Sequence, residues 1–246
     1  MKKTTLICIL CVVCAMFAGV LSAAADTVSI AINPDTKPFK YYDEDGNFAG
    51  IDAEIINAIA EETGLEFNYI PMDFSEIIDA VSTCDVDAAI SALSITENRS
   101  KLVSFTIPYA NDQMSAFARL ANDDFKDIQD PAIKVIGAKA GTTAEEAADL
   151  LLETFDYEKK VYAGYAELFE ALENDEIDVA IADEMLAKQF VNDYADMLTI
   201  GQPLVMEPYA IAVCPSNTEL LNTLNAGLTA LSLNGTLDEI ILKNLE

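Results

Sequence analysis

Apolar residues recur along this chain with two alternating periods. Apolar and small polar positions alternate over Val28–Ile32, and strands are predicted again at Phe67–Pro71, Val86–Leu93, Lys134–Lys139, Ile177–Ala182 and Tyr209–Val213. Between them Gly50–Glu62 carries Ile51, Ile55, Ile56 and Ile59 at helical spacing. Further helices are predicted at Ser75–Thr83, Thr143–Thr154, Tyr165–Glu173, Glu184–Tyr194, Glu219–Leu231 and Leu237–Leu245. Strands alternating with helices over most of the length specify an α/β protein with largely parallel sheets.

The second half echoes the first. Ser75–Val81 and Val86–Ile90 align without gaps on Ala166–Leu172 and Ile177–Ile181, at an offset of 91 residues. Identities fall at Glu76/Glu167, Ala80/Ala171, Asp87/Asp178, Ala89/Ala180 and Ile90/Ile181. The repeat predicts two lobes of related architecture. In open α/β sheets ligands sit outside the carboxyl ends of the strands, which here are Ser91-Ala92 and Ala182-Asp183. One lobe then presents Ser94, Thr96 and Arg99, and the other presents Asp183. An anion-binder opposite a cation-binder is what a zwitterion requires.

Arg99 closes the run Ile-Ser-Ala-Leu-Ser-Ile-Thr-Glu-Asn-Arg, a strand passing into a short polar turn. Hydroxyls and N–H groups at the head of a helical turn favour an anion, and a guanidinium matches a carboxylate with two parallel bonds. The plain alternative is a strand and turn with a surface Arg. Charge makes this residue stand out, because the formal net charge is −28 with only 14 Lys and Arg. Such acidity argues against nucleic acid or an anionic membrane as partner. It suits an exported protein that must not adhere to surfaces.

Export itself is expected from residues 1–25. Lys2 and Lys3 precede an apolar run from Leu6 to Leu21, and Ala23-Ala24-Ala25 offers a cleavage site, the pattern of a secretory signal peptide. Its removal carries the net charge to −30 and leaves Cys84 and Cys214 as the remaining cysteines. The reading favours two inert thiols there over a disulfide. With no His in the chain, histidine-based triads are excluded and common transition-metal sites are not expected. No cofactor, metal or catalytic residue is assigned.

At this point the residues resemble the periplasmic amino-acid-binding proteins of ABC importers, the bacterial solute-binding protein family 3, over nearly all of 27–246. The motifs are Pro38-Phe39-Lys40-Tyr41 before Gly50-Ile51-Asp52, Pro71-Met72-Asp73-Phe74, Ser91 through Thr96 with Arg99, and Phe105 with Pro108-Tyr109. Gly141-Thr142-Thr143-Ala144-Glu145, Ala182-Asp183-Glu184, Pro208 through Val213 and Asn234-Gly235-Thr236-Leu237 complete the set. The resemblance implies two Rossmann-like lobes with mixed, mainly parallel sheets, the type II periplasmic binding protein fold. Lobe 1 would span 26–110 and 208–246, and lobe 2 would span 111–207. Crossover strands near Tyr109–Phe117 and Gln202–Tyr209 would join them. It implies a monomer in the periplasm, or outside the cytoplasm of a cell without an outer membrane, that carries an amino acid to a membrane permease.

The roles implied are these. Arg99 would grip the α-carboxylate with Ser94 and with N–H groups near Ala92 and Thr143, and Asp183 would pair with the α-ammonium. Thr142 and Thr143 open a helix with Glu145 behind, so a capping box is the competing account of Thr142. Phe74 would cover the apolar side of the ligand, or serve as a plain core residue. The chain departs from familiar members at Asn33, where an Asp often reads the ligand side chain, at Thr36, where an aromatic often stacks, and at Ala92, where Gly or Ser is common. With Lys139 available for a carbonyl or carboxylate, these departures favour a polar or acidic amino acid over lysine, arginine or ornithine. Glu207 would reverse that preference if it pointed into the cleft. A cyclohexadienyl dehydratase on the same scaffold, with Glu184 or Glu207 as acid, and a ligand-sensing subunit for a separate receptor are the alternatives.

Overall fold

The computed structural model describes residues 27–122, 125–193 and 197–245. The expected signal peptide and Tyr194 of one expected helix lie outside these residues.

The first sheet has the order β4-β1-β5-β12-β6, formed by β1 (Thr27–Ile32), β4 (Glu66–Pro71), β5 (Ala88–Ala89), β6 (Ser104–Phe105) and β12 (Ala212–Val213). A small hairpin of β2 (Tyr41–Tyr42) and β3 (Phe48–Ala49) stands beside it. The second sheet has the order β11-β7-β10-β8-β9, from β7 (Ala110–Arg119), β8 (Val135–Lys139), β9 (Glu158–Tyr162), β10 (Val179–Asp183) and β11 (Met197–Tyr209). The two orders correspond strand for strand. In each, three strands pair in parallel and the remaining junctions are antiparallel. The fold is therefore α/β with mixed sheets, and β7 and β11 run between the lobes as one long antiparallel pair.

Helices cover the sheets: α1 (Ile51–Thr63), α2 (Phe74–Ser82), α3 (Glu97–Ser100), α4 (Thr143–Leu152), α5 (Tyr165–Glu173), α6 (Glu184–Asp193), α7 (Thr218–Asn234) and α8 (Thr236–Leu245). Ile51, Ile55, Ile56 and Ile59 are buried from α1, as their spacing predicts, and pack with Ile30, Ile32 and Ile90 of the first lobe. The 91-residue repeat is visible in the hydrogen bonds. Asp87 accepts from the backbone N–H of Ser29, and Asp178 accepts from those of Lys134 and Val135, so in each lobe a carboxylate just before the middle strand, β5 or β10, ties it to its neighbour, β1 or β8. Cys84 and Asp175, also 91 apart, turn the chain after α2 and α5 with φ of 62° and 59°.

Two expectations change. The strand expected over Val86–Leu93 pairs only at Ala88–Ala89, because the chain bends at Ser91-Ala92, where Ala92 takes a φ of 48°. Cys84 and Cys214 are joined by a disulfide rather than standing as two thiols. The cause is topological. β12 runs antiparallel beside β5 with Val213 opposite Ala88, which brings the turn before β5 to the end of β12, with 5.1 Å between the two Cα atoms.

Candidate functional site

The carboxyl ends of β5, β8 and β10 converge between the lobes. Arg99 lies on α3, where the Thr96 hydroxyl caps the turn by accepting from the Arg99 N–H at 3.1 Å. This buried guanidinium donates from Nη1 to the Ser94 carbonyl at 2.9 Å and from Nη2 to the Gly141 carbonyl of the other lobe at 3.0 Å. Burial lowers its pKa from the usual value, while Glu146, Glu207 and Asp183 push the other way.

Asp183 ends β10 and is 5% exposed. Its Oδ2 accepts from the Tyr209 hydroxyl at 2.7 Å, whereas its Oδ1 is buried without a partner. Burial, then the charges of Glu207 and Asp112, raise its pKa to about 8. Asp112, raised to about 6 chiefly by burial, shares the Tyr209 hydroxyl at 3.1 Å.

Lys139 ends β8, fully buried. Its Nζ donates to Asn33 Oδ1 at 2.9 Å and pairs with Asp35, and its pKa falls to about 8, first through burial and then through Lys40. Lys40 pairs with the same Asp35 at 2.6 Å. The head of α1 holds Lys40 in place, since Ile51 and Asp52 donate backbone N–H groups to Pro38 and Phe39. Gly50 permits that approach, because a Cβ there would sit 2.5 Å from the Phe39 carbonyl oxygen. Phe74, at the start of α2, has the Lys139, Lys40 and Arg99 charges 5.0, 5.6 and 5.9 Å from its ring centre.

These groups line a narrow cavity with room for about one water molecule. Of the residues singled out from sequence, Phe74, Ala92, Ser94, Arg99, Lys139, Thr142, Thr143 and Asp183 line it, joined by Lys40, Tyr165 and Leu186. Thr142 acts as the N-cap of α4: its hydroxyl accepts from the Glu145 N–H and donates to the Lys139 carbonyl, while Glu145 reaches back to the Gly141 N–H. Asn33 and Thr36 stand behind the lining. Asn33 holds Lys139, and the fully buried Thr36 donates to Asp35 at 2.7 Å. Sequence reasoning passed over Lys40 and Asp35. A lysine flanked by Phe39 and Tyr41, in a chain so poor in cations, was the available signal. Glu207 is buried, 4% exposed, but stands behind the lining, where one oxygen accepts from the Ser94 and Thr143 hydroxyls rather than facing the cavity, so the condition that would reverse the ligand preference is not met.

Residues 28–246 match the family of bacterial extracellular solute-binding proteins, family 3. The chain belongs to this family. A relative is the arginine-binding periplasmic protein of Mannheimia haemolytica, 29% identical over 98% of this chain and 97% of that protein. Among solved structures, an ancestral arginine-binding protein bound to arginine superimposes with a TM-score of 0.83 at 30% identity, covering 89% of this chain and 98% of that one. The ancestral protein bound to glutamine gives 0.81, also at 30% identity, over 89% of this chain and 97% of that one. An ancestral amino acid-binding protein, a precursor of cyclohexadienyl dehydratase, gives 0.79 at 27% identity over 89% and 96%. Among the described residues of this family member, no cluster of His, Cys, Asp or Glu could hold a metal ion. No described helix is long and apolar enough to cross a membrane.

Proposed function

We propose that the protein binds an L-amino acid whose side chain ends in a carboxylate or an amide, and hands it to the membrane permease of an ABC importer. The observation that carries this is the charge of the cavity lining: Arg99, Lys40 and Lys139 face one acid, Asp183, whose Oδ1 has no partner. Arg99 suits an α-carboxylate and Asp183 an α-ammonium. The two lysines suit an oxygen at the end of the side chain. Residues 26–110 with 208–246, and residues 111–207, act as bodies that close on the ligand by bending β7 and β11, the hinge motion of which periplasmic binding proteins are an example. Export places the mature chain outside the cytoplasm, as a monomer.

A second reading, a cationic amino acid, draws on the relatives named for arginine and on Asp35 and Glu207, carboxylates beside the cavity. Thermal shifts of refolded, ligand-stripped protein with glutamate, glutamine, arginine and histidine separate the two. A ligand at 100 times its Kd adds about 2.7 kcal/mol of stability. Glutamate or glutamine should give the largest shift; arginine as the strongest overturns the specificity, and no shift from any amino acid overturns the binding assignment. The Arg99→Ala and Asp183→Ala variants should each abolish the shift and stay folded. Incubation with prephenate or arogenate should yield no aromatic product. Glu184, one candidate acid, is bound by Gln113 and Ser115 and is not among the lining residues.

A further inference from the structure

We propose that Glu207 is a built-in competitor for the ligand's α-carboxylate. The proposal rests on the amino-acid reading above and adds an occupant to that site.

The backbone fixes where Glu207 can reach. Ile95 donates to the Pro208 carbonyl at 2.9 Å and Ala210 to the Leu93 carbonyl at 3.0 Å, while Ser94 pairs with Tyr209. The end of β11 is thereby stitched to the Arg99 turn, with Glu207 one residue from the stitch. Its Oε2 accepts from the Ser94 hydroxyl of one lobe and from the Thr143 hydroxyl of the other, the latter at 2.9 Å. Its charge also acts on the buried Arg99 guanidinium. A carboxylate on two hydroxyls beside a fixed guanidinium is the setting that an α-carboxylate needs. The adjoining cavity admits about one water molecule, so a second carboxylate cannot enter beside the first, and two buried like charges in contact repel. An incoming amino acid must unseat Glu207. Because Ser94 and Thr143 belong to different lobes, the seated side chain also ties the lobes together. The ligand then exchanges an internal cross-link for an external one.

A ligand that binds only the unseated form has its affinity reduced by the unseated fraction. If Glu207 is seated nine times in ten, the Glu207→Ala variant should bind about tenfold more tightly. The test combines calorimetry with glutamate and with arginine, on wild type and variant, with small-angle scattering of both proteins after ligand is stripped by refolding. We expect a lower Kd and a larger radius of gyration for the variant. Glu207→Gln, which keeps hydrogen-bonding capacity without charge, should fall between and serves if the Ala variant does not fold. An unchanged or weaker affinity overturns the proposal, weaker affinity making Glu207 a direct ligand group. An unchanged radius overturns it equally. If neither amino acid binds either protein, the functional reading fails, and scattering alone still decides whether Glu207 holds the lobes.

Discussion

Ionisation of Asp183 should limit ligand capture near neutral pH. Its carboxyl is raised to about 8, by burial first and then by Glu207 and Asp112. An α-ammonium needs the charged form, which is the minor form at pH 7 for a carboxyl raised to about 8. Affinity for glutamine should therefore rise about tenfold per pH unit below pH 7 and level off near pH 8, with about one proton released per ligand at pH 7. For glutamate the rise should end sooner, since Lys139, lowered to about 8, loses charge over the same range. Asp183 and its neighbours titrate together, so the curve reports apparent values for the set. Calorimetry at several pH values, in buffers of different ionisation enthalpy, counts the protons directly. Proton uptake, or affinity for glutamine that ignores pH, would refute the assignment of Asp183 to the ammonium.

The stability of the ligand-free protein should depend on pH in its own right. Asp183, Asp52 at about 7 and Asp112 at about 6 hold protons when folded that the unfolded chain releases, so stability falls as pH rises from about 4 to 8. Asp35, lowered to about 2 against its burial by Lys40 and Lys139, works oppositely, and its contribution is lost as pH falls through that value. Stability to urea should therefore peak near pH 4 and decline from there toward pH 8.

Three further outcomes are expected. Replacing Cys84 and Cys214 together by Ala opens a loop spanning 130 residues, with a loss of up to about 5 kcal/mol in urea unfolding and no change in ligand affinity; a loss under about 1 kcal/mol would argue for free thiols. Gly141→Ala puts a Cβ 2.6 Å from the Ser75 Cα at a residue with φ of 73°. It should keep the lobes apart and weaken binding at least about tenfold, seen by calorimetry and scattering. Ala92→Gly removes the strain of a left-handed alanine and should raise the melting temperature, with a gain of up to about 1 kcal/mol; a lower melting temperature would contradict that strain.

Arg99 and Asp183 were legible because both depend on local order alone. A strand end followed by a capped turn presents its side chains at the sheet edge whatever lies elsewhere, and the 91-residue repeat made Asp183 the counterpart of Ala92. The disulfide was not legible in this way, since it follows from β12 lying beside β5, a pairing between segments far apart in sequence. Asn33 and Thr36 show the same limit from another side. Their neighbourhood could be placed, but whether a residue faces the cavity or stands behind Asp35 depends on the bridge between Thr36 and Lys40.

Glu207 could be named from sequence but its facing could not, because a strand's facing depends on register, and β11 shifts register between Ile200 and Val205. Side chains alternate along a strand, so one residue of slip exchanges inside for outside. Alternation puts Val205 and Glu207 on one face and Met206 on the other, and hydropathy alone would bury either apolar residue before the acid. The structure does the reverse: Val205 is 47% and Met206 63% exposed, while Glu207 is 4% exposed. Burying a carboxylate in place of a methionine is unfavourable unless hydrogen bonds compensate, and here the Ser94 and Thr143 hydroxyls do so. Those are two of the groups assigned to the ligand. The inverted pattern and the binding site therefore share donors, and a chain selected for stability alone would have no reason to place its acid there. That shared set of donors is what the proposed exchange between Glu207 and the ligand's α-carboxylate requires.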